Sequence, residues 1–172
     1  MRLAVVAASD QCAMAFRVVG ASVEERSLDT TVPNSEWTQW GRAPFESQAV
    51  AVAAISGWDT QIELFVLDAA GQVWNRWWWL GRGWTPTASF NLLGTPFPDR
   101  QSRDLAACSA GGGHFMLCVQ HADGTVATLP HVNGPDGPFW LRCHEQAALG
   151  DGWWPAFGTI ARPAYPDGSP TF

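Results

Sequence analysis

Two stretches of the chain superimpose residue by residue. Gln61-Ile-Glu-Leu-Phe-Val-Leu-Asp-Ala-Ala-Gly-Gln-Val-Trp74 lies against His114-Phe-Met-Leu-Cys-Val-Gln-His-Ala-Asp-Gly-Thr-Val-Ala127 at a constant offset of 53. Leu64 meets Leu117, Gly71 meets Gly124 and Val73 meets Val126. Each stretch reads as an alternating strand, a Gly-bearing turn and a second strand. A weaker copy, Ala13 to Val19, Gly20-Ala21 and Ser22 to Arg26, places Val23 on Val73 at an offset of 50.

A further strand precedes each copy: Leu3 to Ala8, Ala49 to Ile55 and Leu105 to Cys108. These enter turns at 9–11, 56–60 and 109–113. A fourth strand follows, marked by Trp84 with Leu93-Gly94, by Trp140 with Leu149-Gly150, and by Trp37 to Gly41 in the first copy. Four short strands over about 50 residues are the pattern of a β-propeller blade. The expected divisions are residues 1–47, 48–102, 103–156 and, as the start of a fourth unit, 157–172. Within the last, Ile160 to Tyr165 reads as a first strand. A β-trefoil is the alternative all-β fold, since it too has three copies near this length. The partial fourth copy argues against it.

Composition agrees with short strands and tight turns. The chain holds 11 Trp, 17 Gly and 12 Pro in 172 residues, with only 15% charged side chains. Both faces of the third strand of the second copy are rich in indole: Trp74, Arg76 and Trp78 point one way, Asn75, Trp77 and Trp79 the other. A half-exposed sheet has one apolar face, whereas a blade stacked between neighbours has two. Single-chain propellers need about 4–8 blades to close. Three blades therefore predict a homo-oligomer or a portion of a longer propeller, and the stop inside a strand favours the portion.

The net charge of −6, with no basic run, speaks against nucleic acid and anionic lipid as partners. No apolar run approaches the roughly 20 residues of a membrane helix. Leu3 to Ala8 imitates a signal peptide but is too short, and it reads as a strand. Cys12, Cys108, Cys118 and Cys143 follow no zinc spacing and read as small buried hydrophobes, so the compartment stays open.

Ile62 to Trp77, with Gly83-Trp84 and Leu93-Gly94, resembles the repeat of bacterial seven-bladed lectins of the PLL-like type. It is similar as well to six-bladed fungal fucose lectins and to tectonin repeats. The likeness is good across 48–94, fair across 103–150 and weak across 1–47. The resemblance implies binding of glycans, commonly fucosylated or methylated, in clefts between blades, without catalysis, metal or cofactor. Fucose lectins carry an Arg in the second strand and a Glu in the third. Those positions are Glu63 and Asn75 in the second copy, and the Glu position is Glu25 in the first. The aromatic part carries over at Trp74, Trp77, Trp84 and Trp140.

Indole rings suit the C–H faces of sugars, and fixed polar groups suit their hydroxyls. Trp58, in the turn 56–60, is less needed for packing than a strand Trp, and Asn75, Arg76 and Arg82 are its nearest polar candidates. Trp153-Trp154 forms a second loop candidate. The candidate carbohydrate-binding residues are thus Trp58, Trp74, Asn75, Arg76, Trp77, Trp84, Trp140 and Glu25. Filling the space between blades is the competing role of every strand Trp. Enzymatic readings fare worse. No GxSxG elbow is present, and His114, His121, His131 and His144 have no triad spacing. Glu24 and Glu25 point to opposite faces, leaving Glu145 with Asp151 as an unsupported carboxylate pair. Asp68 to Trp74 reads as an ordinary hairpin turn rather than a sialidase Asp-box.

Overall fold

The computed structural model describes residues 2–95, 98–134, 137–140 and 144–146. Every regular element among them is a strand; they contain no helix, and so none long and apolar enough to cross a membrane. The chain is all-β. Expected features at Trp153-Trp154, Cys143, Asp151, Leu149-Gly150 and 157–172 lie outside the described residues, as do the side chains of His144 and Glu145.

The strands form three open antiparallel sheets, one for each repeat. The first runs β1 (Arg2–Ala8), β2 (Cys12–Val19), β3 (Ser22–Asp29), β4 (Gly41–Arg42). The second runs β5 (Ala49–Ile55), β6 (Gln61–Asp68), β7 (Val73–Trp79), β8 (Gly83–Thr85), with β9 (Asn91–Gly94) also on β7. The third runs β10 (Ser102–Gly111), β11 (His114–His121), β12 (Val126–Gly134), β13 (Gly137–Trp140), with β14 (His144–Gln146) also on β12. The repeated hairpin turns carry Gly20, Gly71 and Gly124 at φ 60°, 77° and 85°, where a Cβ is strained. In the second copy the Asp68 carboxylate organises the turn. It accepts from the Ala70 and Gln72 amides and from Trp74 Nε1, all at 2.9 Å.

Two expectations are corrected. The fourth strand is divided: β8 pairs with Trp77–Trp79 and β9 with Val73–Asn75, so two short pieces share one partner. Pro86 follows β8 and has no N–H for the ladder, and the chain leaves the sheet before returning at Asn91. The third sheet divides its outer edge the same way between β13 and β14. In the first sheet only Gly41–Arg42 pairs regularly, while Thr38 exchanges bonds with Ser27. The second correction is β10, which runs past Cys108 to Gly111 through an irregular register at Ser109, where a turn was expected.

The second sheet is buried on both faces. Its Val52, Ile62, Leu64 and Val66 pack with Ala8, Met14, Phe16 and Val23 of the first sheet, and Trp74, Trp78 and Trp84 lie against this cluster. Its Ala51, Ala53, Ile55, Phe65, Leu67 and Val73 pack with Leu105, Phe115, Leu117 and Val119 of the third. All eight residues of β6 are buried, which is why its sequence shows apolar residues on both faces. Backbone bonds cross between sheets as well: Ala49 N–H donates to Ala21 O, and Gly113 N–H to Gly57 O.

Phe65 is fully buried, with Phe115 and Trp140 at ring-centroid distances of 5.8 and 6.0 Å. Phe65→Ala is expected to cost about 3–5 kcal/mol of unfolding free energy in urea. A loss below about 1 kcal/mol would mean that the second and third sheets do not rest on this contact.

Candidate functional site

Two clefts open between neighbouring sheets at repeat-related places. The first, of about 330 Å³, lies between the first and second sheets and is lined by Met14, Glu25, Arg26, Thr38, Trp78 and Trp84, among others. The second, of about 390 Å³, lies between the second and third sheets. β6 and β7 supply Gln61, Glu63, Asn75, Trp77 and Trp79 to it; the 56–60 turn supplies Trp58, β9 Asn91 and Leu93, β12 His131 and β13 Trp140. Glu25 and Asn75 are counterparts at an offset of 50, and Trp84 and Trp140 occupy like places in successive copies.

In the first cleft a guanidinium of the chain stacks on one of the indoles. Arg76 is 1% exposed, its guanidinium 3.8 Å from the Trp84 ring centroid and its Nη2 3.3 Å from Glu25 Oε2. Burial works against both charges, pushing the Glu25 carboxyl up and the Arg76 guanidinium down, while each opposes the shift in the other. The pair needs its partner because a lone buried charge costs far more than the pair gains. Arg76 Nε and Nη1 are buried without a hydrogen-bond partner.

The second cleft is different in character. Its walls are four half-buried indoles, Trp58, Trp77, Trp79 and Trp140. Its floor is polar: Asn75 Nδ2 donates to Glu63 Oε1 at 2.6 Å, and both residues are at least 95% buried. Asn75 Oδ1 and Gln61 Oε1 are buried with no hydrogen-bond partner. Burial pushes the Glu63 carboxyl up to about 7, against the lowering effect of the Asn75 bond. His131 stacks on Phe115 at 4.2 Å and is held by its Nδ1 on Gly113 O at 2.8 Å. A carbonyl only accepts, so Nδ1 carries the proton and Nε2 is the acceptor in the neutral ring. Burial lowers the His131 pKa and so favours that neutral form.

Trp58 is seated by two contacts. Its ring lies 6.0 Å from that of Trp79, and it passes directly over Gly113, where an added Cβ would stand 2.2 Å from Trp58 Cζ2. Gly113 is at φ 82°, and its amide is the one bonded to Gly57 O.

The sequence candidates therefore divide. Trp58, Asn75, Trp77 and Trp140 converge on the second cleft, and Glu25 and Trp84 on the first, with Arg76 beneath them. Arg76 is no partner of Trp58, because alternation along β7 sends it to the opposite face. Trp74 joins neither cleft: its indole N–H is committed to Asp68 and its ring packs on Phe45 at 5.9 Å. Arg82 lies exposed in the turn between β7 and β8. Sequence reading missed Gln61, Trp79, Asn91, Leu93 and His131. Trp79 shares the parity of Asn75 and Trp77, a signal that was present; His131 depends on packing of the third sheet, which leaves none.

Cys12, Cys108 and Cys118 are free and buried, and burial pushes the Cys118 thiol up to about 12. Among the described residues no group of His, Cys, Asp and Glu is arranged to hold a metal ion. No protein-family model and no curated protein matches the chain.

Two measurements test this geometry. Gly112 and Gly113 both have positive φ, but only Gly113 lies under Trp58. Gly113→Ala is expected to cost about 1–3 kcal/mol more than Gly112→Ala and to shift tryptophan fluorescence, because overpacking adds to backbone strain. Equal costs would show that Trp58 does not rest there. Glu63 is protonated in the folded chain until about pH 7, whereas the unfolded carboxyl ionises near 4.5. Its contribution is fully present below that lower value and is lost as pH rises to about 7, on the order of 3 kcal/mol in all. Glu63→Gln is expected to flatten this fall in urea titrations between pH 4.5 and 8. The same slope in variant and parent would count against a buried, raised Glu63.

Proposed function

We propose that the chain is a non-catalytic carbohydrate-binding segment of β-propeller type, holding glycan in the cleft between its second and third sheets. The observation carrying this reading is the ring of Trp58, Trp77, Trp79 and Trp140 around the buried Glu63–Asn75 pair. Indole faces take the C–H face of a sugar ring. Asn75 Oδ1 and Gln61 Oε1 offer unpaired acceptors to its hydroxyls. A buried polar atom without a partner costs about 1–3 kcal/mol, so a ligand that satisfies it gains both affinity and selectivity.

A binding rather than hydrolytic role is supported by Glu63 being the one carboxylate among the described lining residues, since glycoside hydrolysis ordinarily uses a pair. The propeller reading is supported by the repeat-related sheets and by the first strands β1, β5 and β10, of which β5 touches both others. It extends to a relationship with PLL-like, fucose-lectin and tectonin repeats. The replacement of the fucose-lectin Arg and Glu by Glu63 and Asn75 argues for a sugar other than fucose.

The outer face of the first sheet supports association with a further sheet of the same kind, from a second copy or a longer propeller. Leu3 and Val5 there are 53% and 58% exposed. Arg26 stacks on Trp40 at 4.5 Å, just as Arg76, its counterpart at an offset of 50, stacks on Trp84 beneath the first sheet. A purely structural role is the second reading, favoured by the first cleft, where Arg76 covers the Trp84 face that a sugar would need.

A glycan array probed with the folded chain tests the proposal. Binding is expected, with Trp77→Ala and Trp140→Ala each weakening it at least about tenfold, or 1.4 kcal/mol. Trp84→Phe, in the first cleft, is expected to leave binding unchanged. A silent array with a correctly folded chain overturns the carbohydrate reading in favour of the structural one.

A further inference from the structure

The floor of the second cleft holds hydrogen-bond acceptors that lack partners. Gln61, Glu63 and Asn75 are 4%, 5% and 4% exposed, and all three line it. Asn75 uses an amide N–H on Glu63, which leaves its own Oδ1, like Gln61 Oε1, without a partner. His131, with its proton held toward Gly113 O, presents Nε2 as a further acceptor. No Arg or Lys is among the described lining residues, whereas the repeat-related first cleft is floored by Arg76. Four indoles surround this acceptor-rich floor, and aromatic faces attract cations.

Resting on the carbohydrate reading above, we propose that this cleft selects sugars carrying a free ammonium group, amino sugars such as glucosamine, over neutral sugars. A primary ammonium has three N–H donors and no acceptor, which complements Glu63, Asn75 Oδ1 and Gln61 Oε1. A hydroxyl brings one donor and two acceptor lone pairs, so it meets fewer of these groups and gains no charge assistance. The sugar ring keeps its place against the indoles, and the ammonium supplies the counter-charge that Glu63 lacks among the residues lining the cleft. Because burial holds Glu63 partly protonated near pH 7, entry of a cation restores the carboxylate and releases a proton.

Isothermal titration calorimetry of the whole chain at pH 7 compares glucosamine, N-acetylglucosamine and glucose. Glucosamine is expected to bind about tenfold more tightly than the two neutral sugars. Its binding heat should vary with the ionisation enthalpy of the buffer, reporting a net release of protons, while the neutral sugars release none. Glu63→Gln should abolish both the preference and the proton release, and near-UV circular dichroism checks that this variant keeps its packing. Equal affinity for the three sugars, or a preference that survives Glu63→Gln, overturns the ammonium assignment and leaves the carbohydrate reading in place. Failure of glucosamine to bind also overturns it. If the glycan array is silent as well, the carbohydrate reading falls separately.

Discussion

Burial of β6 on both faces is the constraint on which the rest of the molecule depends. A strand with Ile62, Leu64 and Val66 on one side and Phe65 and Leu67 on the other has no face to give to water. Covering it takes a sheet on each flank, and both sheets are built from copies of the same hairpin. The repeat is therefore more than a record of duplication. Each copy supplies the apolar surface that its neighbour must bury, as in other linear repeat arrays.

The clefts follow from the same stacking. Sheets pressed together along their first two strands separate toward the third and fourth, and the wedge between them is lined by outer-strand side chains. In one wedge an arginine stacks on an indole and pairs through one nitrogen with Glu25. In the other the position 53 residues after Arg76 is Leu129, and no arginine arrives to cover the rings. One repeat scaffold thus yields one cleft whose indole is covered by an arginine and one whose indoles are not, and the difference lies in single residues at equivalent places.

Much of this was legible in the sequence. The strands at 49–55, 61–68 and 114–121 and the facing of Trp74 through Trp79 follow from alternation and from the 53-residue offset. What was hidden depends on events at sheet edges. The divided fourth strand turns on where Pro86 interrupts a ladder, and the length of β10 on an irregular pairing at Ser109. The site was half legible. Trp58 was found from its loop placement, and Asn75, Trp77 and Trp140 from the lectin-repeat positions they resemble. His131 and Gln61 enter only because the third sheet docks where it does, and Trp74 drops out because a turn carboxylate captures its N–H.

The crossing at Gly57 and Gly113 has a mechanical meaning. One backbone bond fastens the two sheets, and the same glycine forms the bed on which Trp58 reclines. Rim and fastening are thus a single device. A guest that spreads the indoles strains the join between neighbouring units, and anything that loosens the join lets the rim sag. If the cleft takes a ligand as proposed, its occupancy and the cohesion of the two sheets would be tied to one another at the width of a single peptide.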